Sequence, residues 1–249
     1  MKVQNVLDAV WEIAPRELAE EWDNVGLLIG HPDREVTRIL CALDLTGKVV
    51  DEAIEKGAEL IVTHHPVLFR GRKNLREDDP EGAMLAKMIR NNISHIAMHT
   101  NFDNATPGVN DALAEALGLT DITANGDYLR VGNIQPMTLQ DLILHTQTRL
   151  NAIVRPYGDR EQIISRVAVL GGSGGDYYRA AIACGAQAFI TGEIGYHIAM
   201  NAVDEGLCIL DAGHDSTERV CVKAIADGLQ KRLNAVEYTV TIFESTAHC

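Results

Sequence analysis

The chain has 249 residues, 46% of them hydrophobic and 23% charged, with a formal net charge of -13 at pH 7, which suits a globular protein of one large or two small domains. The acidic balance argues against nonspecific nucleic-acid binding, which depends on Lys and Arg neutralising phosphates. No run reaches the roughly 20 apolar residues of a membrane span, and Asp8 and Glu12 interrupt the region that would be apolar in a signal peptide, so we expect a cytoplasmic protein without nucleic-acid or membrane partners.

Strands and helices alternate along the first half of the chain. Residues 5–13 have helical spacing, Pro15 can open a second short helix, and residues 25–29 are extended. A regular series follows, with predicted strands at 38–45, 58–63 and 95–99 and predicted helices at 47–56, 81–91 and 109–117. This alternation is typical of an α/β domain with a parallel sheet.

The weakly patterned stretch 121–133 is where we place the domain transition. It gives an N-terminal α/β domain over 1–126 and a second α/β domain over 127–249, whose C-terminal helix and strand could return to the first domain. Beyond the transition come a predicted helix at 139–150, a strand at 152–157 and a second alternating series. We therefore predict an α/β fold of two similar α/β/α domains with mainly parallel sheets.

One internal repeat indicates that the two domains are related. Residues 38–63 align without gaps with residues 166–191. The identities include a set spread along the segment: Gly47, Ala53, Ile54, Gly57, Ala58 and Thr63 recur as Gly175, Ala181, Ile182, Gly185, Ala186 and Thr191. The alternative is that any two β-α-β units share such apolar placement, and the constant offset favours duplication.

A pair of histidines ends one predicted strand. The apolar run 59–63 stops at His64-His65-Pro66. Neighbouring residues on a strand point to opposite faces, so both imidazoles can reach one site only where the strand stops, and Pro66 favours a stop there. Two surface histidines in a turn are the alternative interpretation. Nitrogen ligands at a rigid strand end would suit a metal.

Two further predicted strands end in residues of metal-binding types. Residues 94–100 run into a turn that presents the carboxylate of Asp103, and residues 207–213 end at His214, where a helix places Glu218 four residues later on the same face. An Asx turn at Asp103 and N-cap chemistry at Asp215 or Ser216 are the ordinary alternatives. Three strands that all end in such residues predict a metal site between the two domains, at the strand ends.

The number of candidate ligands indicates more than one metal. Five residues, His64, His65, Asp103, His214 and Glu218, exceed the three protein ligands of a catalytic zinc ion. We therefore predict two divalent metal ions per subunit, with Glu218 as the bridging carboxylate, an arrangement used for metal-assisted hydrolysis. Imidazole and carboxylate ligands suit zinc, iron, manganese or cobalt without choosing among them. The five cysteines form no C-x-x-C pair and indicate no thiolate site.

Two residues near another predicted strand end are candidates for catalysis or support. In the repeat, Glu193 occupies the position of His65, which makes it a candidate catalytic general base or a partner of a metal ligand. His197, one turn into the next helix, could contact Glu193 or a metal ligand without binding the metal itself. Both could equally be ordinary residues at the start of a helix.

Two other segments are candidates for anion binding. Arg70 and Arg72 follow the histidine pair and could bind a small anionic substrate, although a solvated loop is the alternative. The glycine-rich run 171–175 could bring backbone N–H groups to a phosphate, or could serve only as a tight turn.

Five motifs spread over nearly the whole chain carry a family resemblance: Trp22-Asp23-Asn24-Val25-Gly26-Leu27, Thr63-His64-His65-Pro66 with Leu68-Phe69-Arg70, His99-Thr100-Asn101-Phe102-Asp103, Thr191-Gly192-Glu193 and Gly213-His214-Asp215-Ser216-Thr217-Glu218. Together they resemble the GTP cyclohydrolase I type 2 homologues, also called the NIF3-like family, in its short bacterial form. The resemblance implies a two-domain α/β subunit, a dinuclear metal centre and a homohexameric ring. It assigns the metal-ligand role to all five candidate ligands.

The resemblance and the candidate ligands lead to one functional prediction and one alternative. We predict a dinuclear metal-dependent hydrolase that acts on a nucleotide or a phosphorylated small molecule. The alternative is a non-enzymatic, ring-forming metal-binding or regulatory protein. Trp11, Trp22 and residues 25–29 could supply part of a subunit interface, or could belong to the core.

Overall fold

The computed structural model describes residues 1–126 and 128–247, which form two compact units. The first unit comprises Met1–Ala105 and Val222–Cys249, and the second comprises Thr106–Cys221. The strands are β1 (Gly26–Ile29), β2 (Arg38–Ala42), β3 (Leu60–Thr63), β4 (Ser94–Ala97), β5 (Thr120–Asn125), β6 (Leu129–Thr138), β7 (Arg155–Tyr157), β8 (Ile163–Leu170), β9 (Ala188–Thr191), β10 (Cys208–Asp211) and β11 (Thr241–Glu244).

The helices are α1 (Val3–Ile13), α2 (Gly47–Lys56), α3 (Pro80–Arg90), α4 (Thr100–Asn104), α5 (Val109–Ala116), α6 (Leu139–Leu150), α7 (Tyr178–Ala183), α8 (Tyr196–Asp204), α9 (His214–Glu218) and α10 (Val220–Ala235). Short 3-10 turns cover Arg16–Leu18 and Gly175–Tyr177. Over the described ranges, none of the helices combines the length and the apolar character needed to cross a membrane.

The sheet of the first unit has the order β1-β4-β3-β2-β11, in which only the edge strand β1 runs antiparallel to its neighbour. β3 and β4 are buried along their whole length, as expected for parallel strands covered on both faces. Helix α2 begins after Thr46, whose hydroxyl accepts the N–H of Val49, and ends at Gly57, which has φ +65°. Its buried face packs against Leu40 and Ile61 of the sheet.

The sheet of the second unit has the order β5-β6-β8-β9-β10-β7 and is mixed. β8, β9 and β10 are parallel, whereas β5, β6 and β7 pair antiparallel with their neighbours. The α/β prediction is confirmed, but the prediction of a mainly parallel sheet holds here only for the three central strands. The antiparallel pair β5 and β6 explains the difference, since it lies in the stretch that appeared weakly patterned. β5 is largely exposed, so its side chains carry little apolar alternation.

The two compact units do not coincide with the ranges 1–126 and 127–249 expected from the sequence. The change from the first unit to the second occurs at Ala105 and Thr106, because α5 and the β5–β6 pair pack within the second unit. The C-terminal segment belongs to the first unit, where β11 extends the sheet with Ile242 opposite Ile39 of β2. The largely exposed edge strand β5 therefore looked like a linker in the sequence.

The internal repeat has the same register in both units. Ile39 of β2 lies opposite Leu60 of β3, and Val167 of β8 lies opposite Ala188 of β9, at the offset of the sequence alignment. Side chains repeat too: the guanidinium of Arg38 donates to the carbonyl of Lys56, and that of Arg166 donates to the carbonyl of Cys184. Glu59 and Gln187, at matching positions, each accept backbone N–H groups from the start of the preceding strand.

The structural repeat extends beyond the segment that the sequence alignment identified. The third parallel strand is β4 in the first unit and β10 in the second, with Ser94 opposite Leu60 and Cys208 opposite Ala188. An antiparallel edge strand follows in each sheet, and a five-residue helix follows each third strand along the chain, α4 and α9 respectively. Each unit thus presents loops after three parallel strands at one edge of its sheet.

Candidate metal centre

The candidate ligands of the first unit follow the carboxyl ends of its parallel strands. The side chain of His64, directly after β3, is fully buried, and its Nδ1 lies 3.0 Å from the carbonyl oxygen of Met98. A carbonyl can only accept, so Nδ1 carries the proton and the lone pair lies on Nε2. Nε2 lies 3.6 Å from Oδ1 of Asp103. The pair therefore combines an imidazole nitrogen and a carboxylate oxygen at one strand edge.

His65 is oriented by a carboxylate that follows the neighbouring strand. Its Nδ1 lies 2.8 Å from Oδ1 of Asp44, a residue two positions beyond β2. A histidine that donates one ring N–H to a carboxylate presents the other nitrogen as a fixed, more basic ligand. The sequence prediction did not include Asp44, whose signal was its position just past a parallel strand.

A third histidine, His99, joins this group and was missed as a site residue. The ring nitrogens of His64, His65 and His99 include a set in which all three atoms lie within 4.8 Å of one another. His99 Nδ1 lies 3.0 Å from Oδ1 of Asp23. The sequence did contain a signal for His99, because the segment with β4 also ends at a histidine. The prediction from strand ends instead selected Asp103, four residues later.

Asp23 is a buried charge that fixes His99. Its side chain has no exposed surface, and its Oδ2 accepts hydrogen bonds from the backbone N–H and the hydroxyl of Thr100. Burial alone would raise the pKa of Asp23, but the hydrogen bonds from His99 and Thr100 outweigh it and lower the pKa to about 2. The carboxylate is therefore ionised at neutral pH and holds His99 in one orientation.

In the second unit, His214 and Glu218 lie one turn apart on α9. Nε2 of His214 lies 3.0 Å from Oε2 of Glu218, and Nδ1 lies 3.0 Å from Oε1 of Glu193, which follows β9. Two ligand atoms about 2.1 Å from one cation, at an angle of about 90° to 120°, are about 3.0 to 3.6 Å apart. The His214–Glu218 and His64–Asp103 separations both fall in that range.

Glycines keep space beside the ligands of the second unit. Gly172 has φ +60°, and a Cβ there would lie 2.1 Å from Oε1 of Glu218 and 3.2 Å from Nε2 of His214. A Cβ on Gly192 would lie 2.7 Å from Cα of His214 and 2.6 Å from the hydroxyl of Thr217. The loops after β8 and β9 can approach α9 this closely only because both positions are glycine.

The four glycines of the run 171–175 use their backbone N–H groups to hold these loops together and do not offer them to a phosphate. Its N–H groups donate to protein acceptors of the same unit. The donors are Gly171, Gly172, Gly174 and Gly175, and the respective acceptors are the side chains of Asn110, Thr217 and Thr191 and the carbonyl of Glu193. The tight-turn interpretation is therefore favoured over phosphate contact.

The donor set fits divalent cations. Each of the four histidines has Nδ1 against an oxygen acceptor: His64 on Met98, His65 on Asp44, His99 on Asp23 and His214 on Glu193. In His64, His65 and His99 this hydrogen bonding places the proton on Nδ1 and leaves the lone pair on Nε2, the arrangement found around metal-binding imidazoles, whereas both ring nitrogens of His214 face carboxylates. Nitrogen and oxygen ligands of this kind suit zinc, iron, manganese or cobalt.

The other predicted site residues, Arg70, Arg72 and His197, differ in whether they contact other protein groups. Arg72 is held by the carboxylates of Asp79 and Glu81, whereas Arg70 is exposed. The salt bridges leave the guanidinium of Arg72 poorly placed to bind substrate. His197 is exposed on the first turn of α8, where its ring packs against Tyr196 with centroids 5.2 Å apart.

Glu193 contacts His214, a candidate ligand, so we expect the removal of Glu193 to weaken metal binding. We expect Glu193→Ala to lower metal affinity about 10- to 100-fold, since His214 loses the partner that orients it. Glu193→Gln keeps an acceptor oxygen and should lose less. Titration of both variants against a competing chelator checks this. A Glu193→Gln variant with full metal affinity but no turnover would assign Glu193 to proton transfer instead.

Comparison with known proteins identifies the family to which the chain belongs. The family model described as Duf34/NIF3 (NGG1p interacting factor 3) matches residues 1–248. A Clostridium perfringens protein named "GTP cyclohydrolase 1 type 2 homolog" is 34% identical over 252 residues, covering 97% of this chain and 96% of its own. A Staphylococcus aureus crystal structure superposes with a TM-score of 0.96 at 32% identity, covering 100% of this chain and 97% of that one. A Bacillus cereus protein related to NIF3 gives 0.94 at 26% identity, with the same coverage. The chain therefore belongs to the Duf34/NIF3 family.

Proposed function

We propose that this protein is a dinuclear metal-dependent hydrolase that acts on a nucleotide or another phosphorylated small molecule. The observation that carries the proposal is the common hydrogen bonding of the strand-end histidines His64 and His65, each with Nδ1 engaged by an oxygen and Nε2 left as the ligand nitrogen. Relatives that cover nearly the whole chain carry the name "GTP cyclohydrolase 1 type 2 homolog", which supports a nucleotide as the substrate.

The proposed metal ligands are five residues. His64, His65 and Asp103 come from the first unit, and His214 and Glu218 come from the second, with Glu218 as the bridging carboxylate. Divalent cations held by these residues would supply Lewis acidity and would activate water for attack. The protein contributes fixed ligand orientations through the carbonyl of Met98 and the carboxylates of Asp44 and Glu193.

We further propose that Nε2 of His99 accepts the proton that the attacking water loses during hydrolysis and then returns it to the leaving group. Asp23 holds Nδ1–H of His99, so the lone pair of Nε2 points away from the carboxylate, in the arrangement that makes an imidazole a general base. In this assignment Glu193 positions His214, and the acid–base role first considered for Glu193 passes to His99.

The direct test is an activity screen of metal-loaded protein with GTP, other nucleotides and generic phosphoesters. We expect turnover of at least one nucleotide or phosphoester that requires added metal and is abolished in His65→Ala. Loaded protein that turns over none of these substrates would contradict the hydrolase proposal and favour the non-enzymatic alternative, a metal-binding or regulatory protein.

Substrate affinity should depend on Arg70 and not on Arg72. A guanidinium pairs bidentately with phosphate, and Arg70 is exposed, whereas Arg72 is already held by two carboxylates. We expect Arg70→Ala to raise the Michaelis constant about tenfold or more, at the lower range of a charged hydrogen bond, with metal content unchanged. Arg72→Ala is the matched control. Equal Michaelis constants in wild type and Arg70→Ala would return this loop to the role of a solvated surface.

We also propose that the chain assembles into a homohexamer, as the family resemblance implies. Closed symmetry is the rule for homo-oligomers of soluble proteins. Light scattering should then give a mass near six times the 27.2 kDa of one chain. A stable, active, metal-loaded monomer would contradict the ring.

A further inference from the structure

Two aromatic side chains are exposed beside the histidines of the first unit. Trp22 is 60% exposed and Phe69 is 47% exposed. Their rings meet edge to face, with centroids 5.7 Å apart and an interplanar angle of 79°. Each ring also contacts His99 edge to face, at 6.2 Å from Trp22 and 6.1 Å from Phe69. We name this group, Trp22, Phe69 and His99, the aromatic corner.

The aromatic corner is held in place by hydrogen bonds at its base. The side chain of Asn24 donates to the carbonyl of Leu68 at 2.8 Å, which ties the segment after Trp22 to the segment before Phe69. The buried carboxylate of Asp23 fixes His99 on the other side. Exposed rings on a preformed surface lose little conformational freedom on binding, which favours affinity for a rigid ligand.

The shape and chemistry of the corner fit a flat ring with polar edges. Two rings at nearly a right angle let a planar ligand stack on one face while its edge meets the other, the two geometries that aromatic pairs prefer. His99 adds a polar nitrogen to the wall, which suits a heteroaromatic ring better than a hydrocarbon. Arg70 follows Phe69 directly and is exposed, so a phosphate attached to such a ring would find a cation nearby.

We propose that the aromatic corner binds a planar heteroaromatic ring of the substrate, of the kind found in a purine nucleotide. This inference rests on the hydrolase function proposed above and specifies which part of the substrate the first unit recognises. Stacking on an aromatic side chain is sequence-tolerant, and its loss costs about 10- to 100-fold in affinity per ring. Trp22, the larger and more exposed ring, should supply most of this binding.

The test is isothermal titration of metal-loaded protein with GMP and, in parallel, with ribose 5-phosphate, which lacks the ring. We expect GMP to bind more tightly than ribose 5-phosphate. Trp22→Ala and Phe69→Ala should each weaken GMP about 10- to 100-fold, leave ribose 5-phosphate unchanged and retain full metal content. Trp22→Phe should recover part of the loss. Leu75→Ala, at an apolar side chain 56% exposed in the same unit, is the matched control.

Two outcomes would overturn the inference. Equal binding of GMP and ribose 5-phosphate, unaffected by Trp22→Ala, would show that no ring is recognised at the corner. Unchanged GMP affinity together with a lower mass of Trp22→Ala in light scattering would assign the corner to contact with a second copy of the chain.

Failure of this inference and failure of the hydrolase proposal give different results. Turnover of a nucleotide with the same Michaelis constant in wild type, Trp22→Ala and Phe69→Ala would support the hydrolase proposal. It would contradict ring binding at the aromatic corner. Ring-dependent GMP binding without turnover of any substrate would support ring binding at the aromatic corner. It would contradict the hydrolase proposal.

Discussion

A His214→Ala variant should lose metal affinity by at least about 100-fold. Loss of an orienting partner alone costs about 10- to 100-fold in metal proteins, and loss of the ligand itself should cost at least as much. Nε2 of His214 lies 3.0 Å from Oε2 of Glu218. Without His214, Glu218 would be the single candidate ligand left on α9. Metal analysis after dialysis against a weak chelator, together with circular dichroism for folding, measures the effect.

His197→Ala is the control for this variant. His197 lies in the same unit, is exposed and contacts Tyr196, so its removal should leave metal content and stability near those of the wild type. If His214→Ala keeps the metal complement of His197→Ala, then His214 is not a ligand.

The second large effect is expected for Gly172→Ala. A Cβ at this position would lie 2.1 Å from Oε1 of Glu218, so either the loop or the carboxylate must shift. The positive φ of +60° adds strain of about 1–2 kcal/mol for any residue with a side chain. We expect a fall in the free energy of unfolding larger than this strain alone, and a metal affinity reduced together with it. Denaturant unfolding and chelator competition measure the two quantities.

Gly126→Ala separates the collision from the backbone strain. Gly126 lies in the same unit with φ +65°, and a Cβ there meets nothing within 4 Å. Its substitution should cost only about 1–2 kcal/mol of stability and leave metal binding unchanged. A Gly172→Ala variant that behaves like Gly126→Ala would mean that the loop after β8 does not shape the ligand positions.

The hydrophobic pattern and the residues at strand ends were enough to predict most of the fold and the candidate ligands. β3 and β10 are short apolar runs bounded by turn residues. The first polar residue after such a strand lies at the carboxyl edge of the sheet, where α/β proteins bind their ligands. His64 and His65 stand at such positions, and the i, i+4 spacing of His214 and Glu218 is a property of any helix.

What the sequence could not predict depends on contacts between distant residues. His99 looked like part of a strand, and its contact with Asp23, from a segment before β1, is visible only in the structure. Arg72 and Arg70 are alike in sequence, but salt bridges to Asp79 and Glu81 distinguish them in the structure. The exposed strand β5 carries too little apolar alternation to be recognised from its pattern.

The measurement that tests the central claim most directly is the metal-to-chain ratio of protein purified without a chelating column and then reconstituted with each candidate divalent metal. Inductively coupled plasma mass spectrometry, with protein quantified by amino-acid analysis, should give two ions per chain for the wild type and fewer for both His65→Ala and His214→Ala. A ratio of one that persists after reconstitution, or a ratio unchanged in both variants, would contradict a dinuclear centre built from these residues.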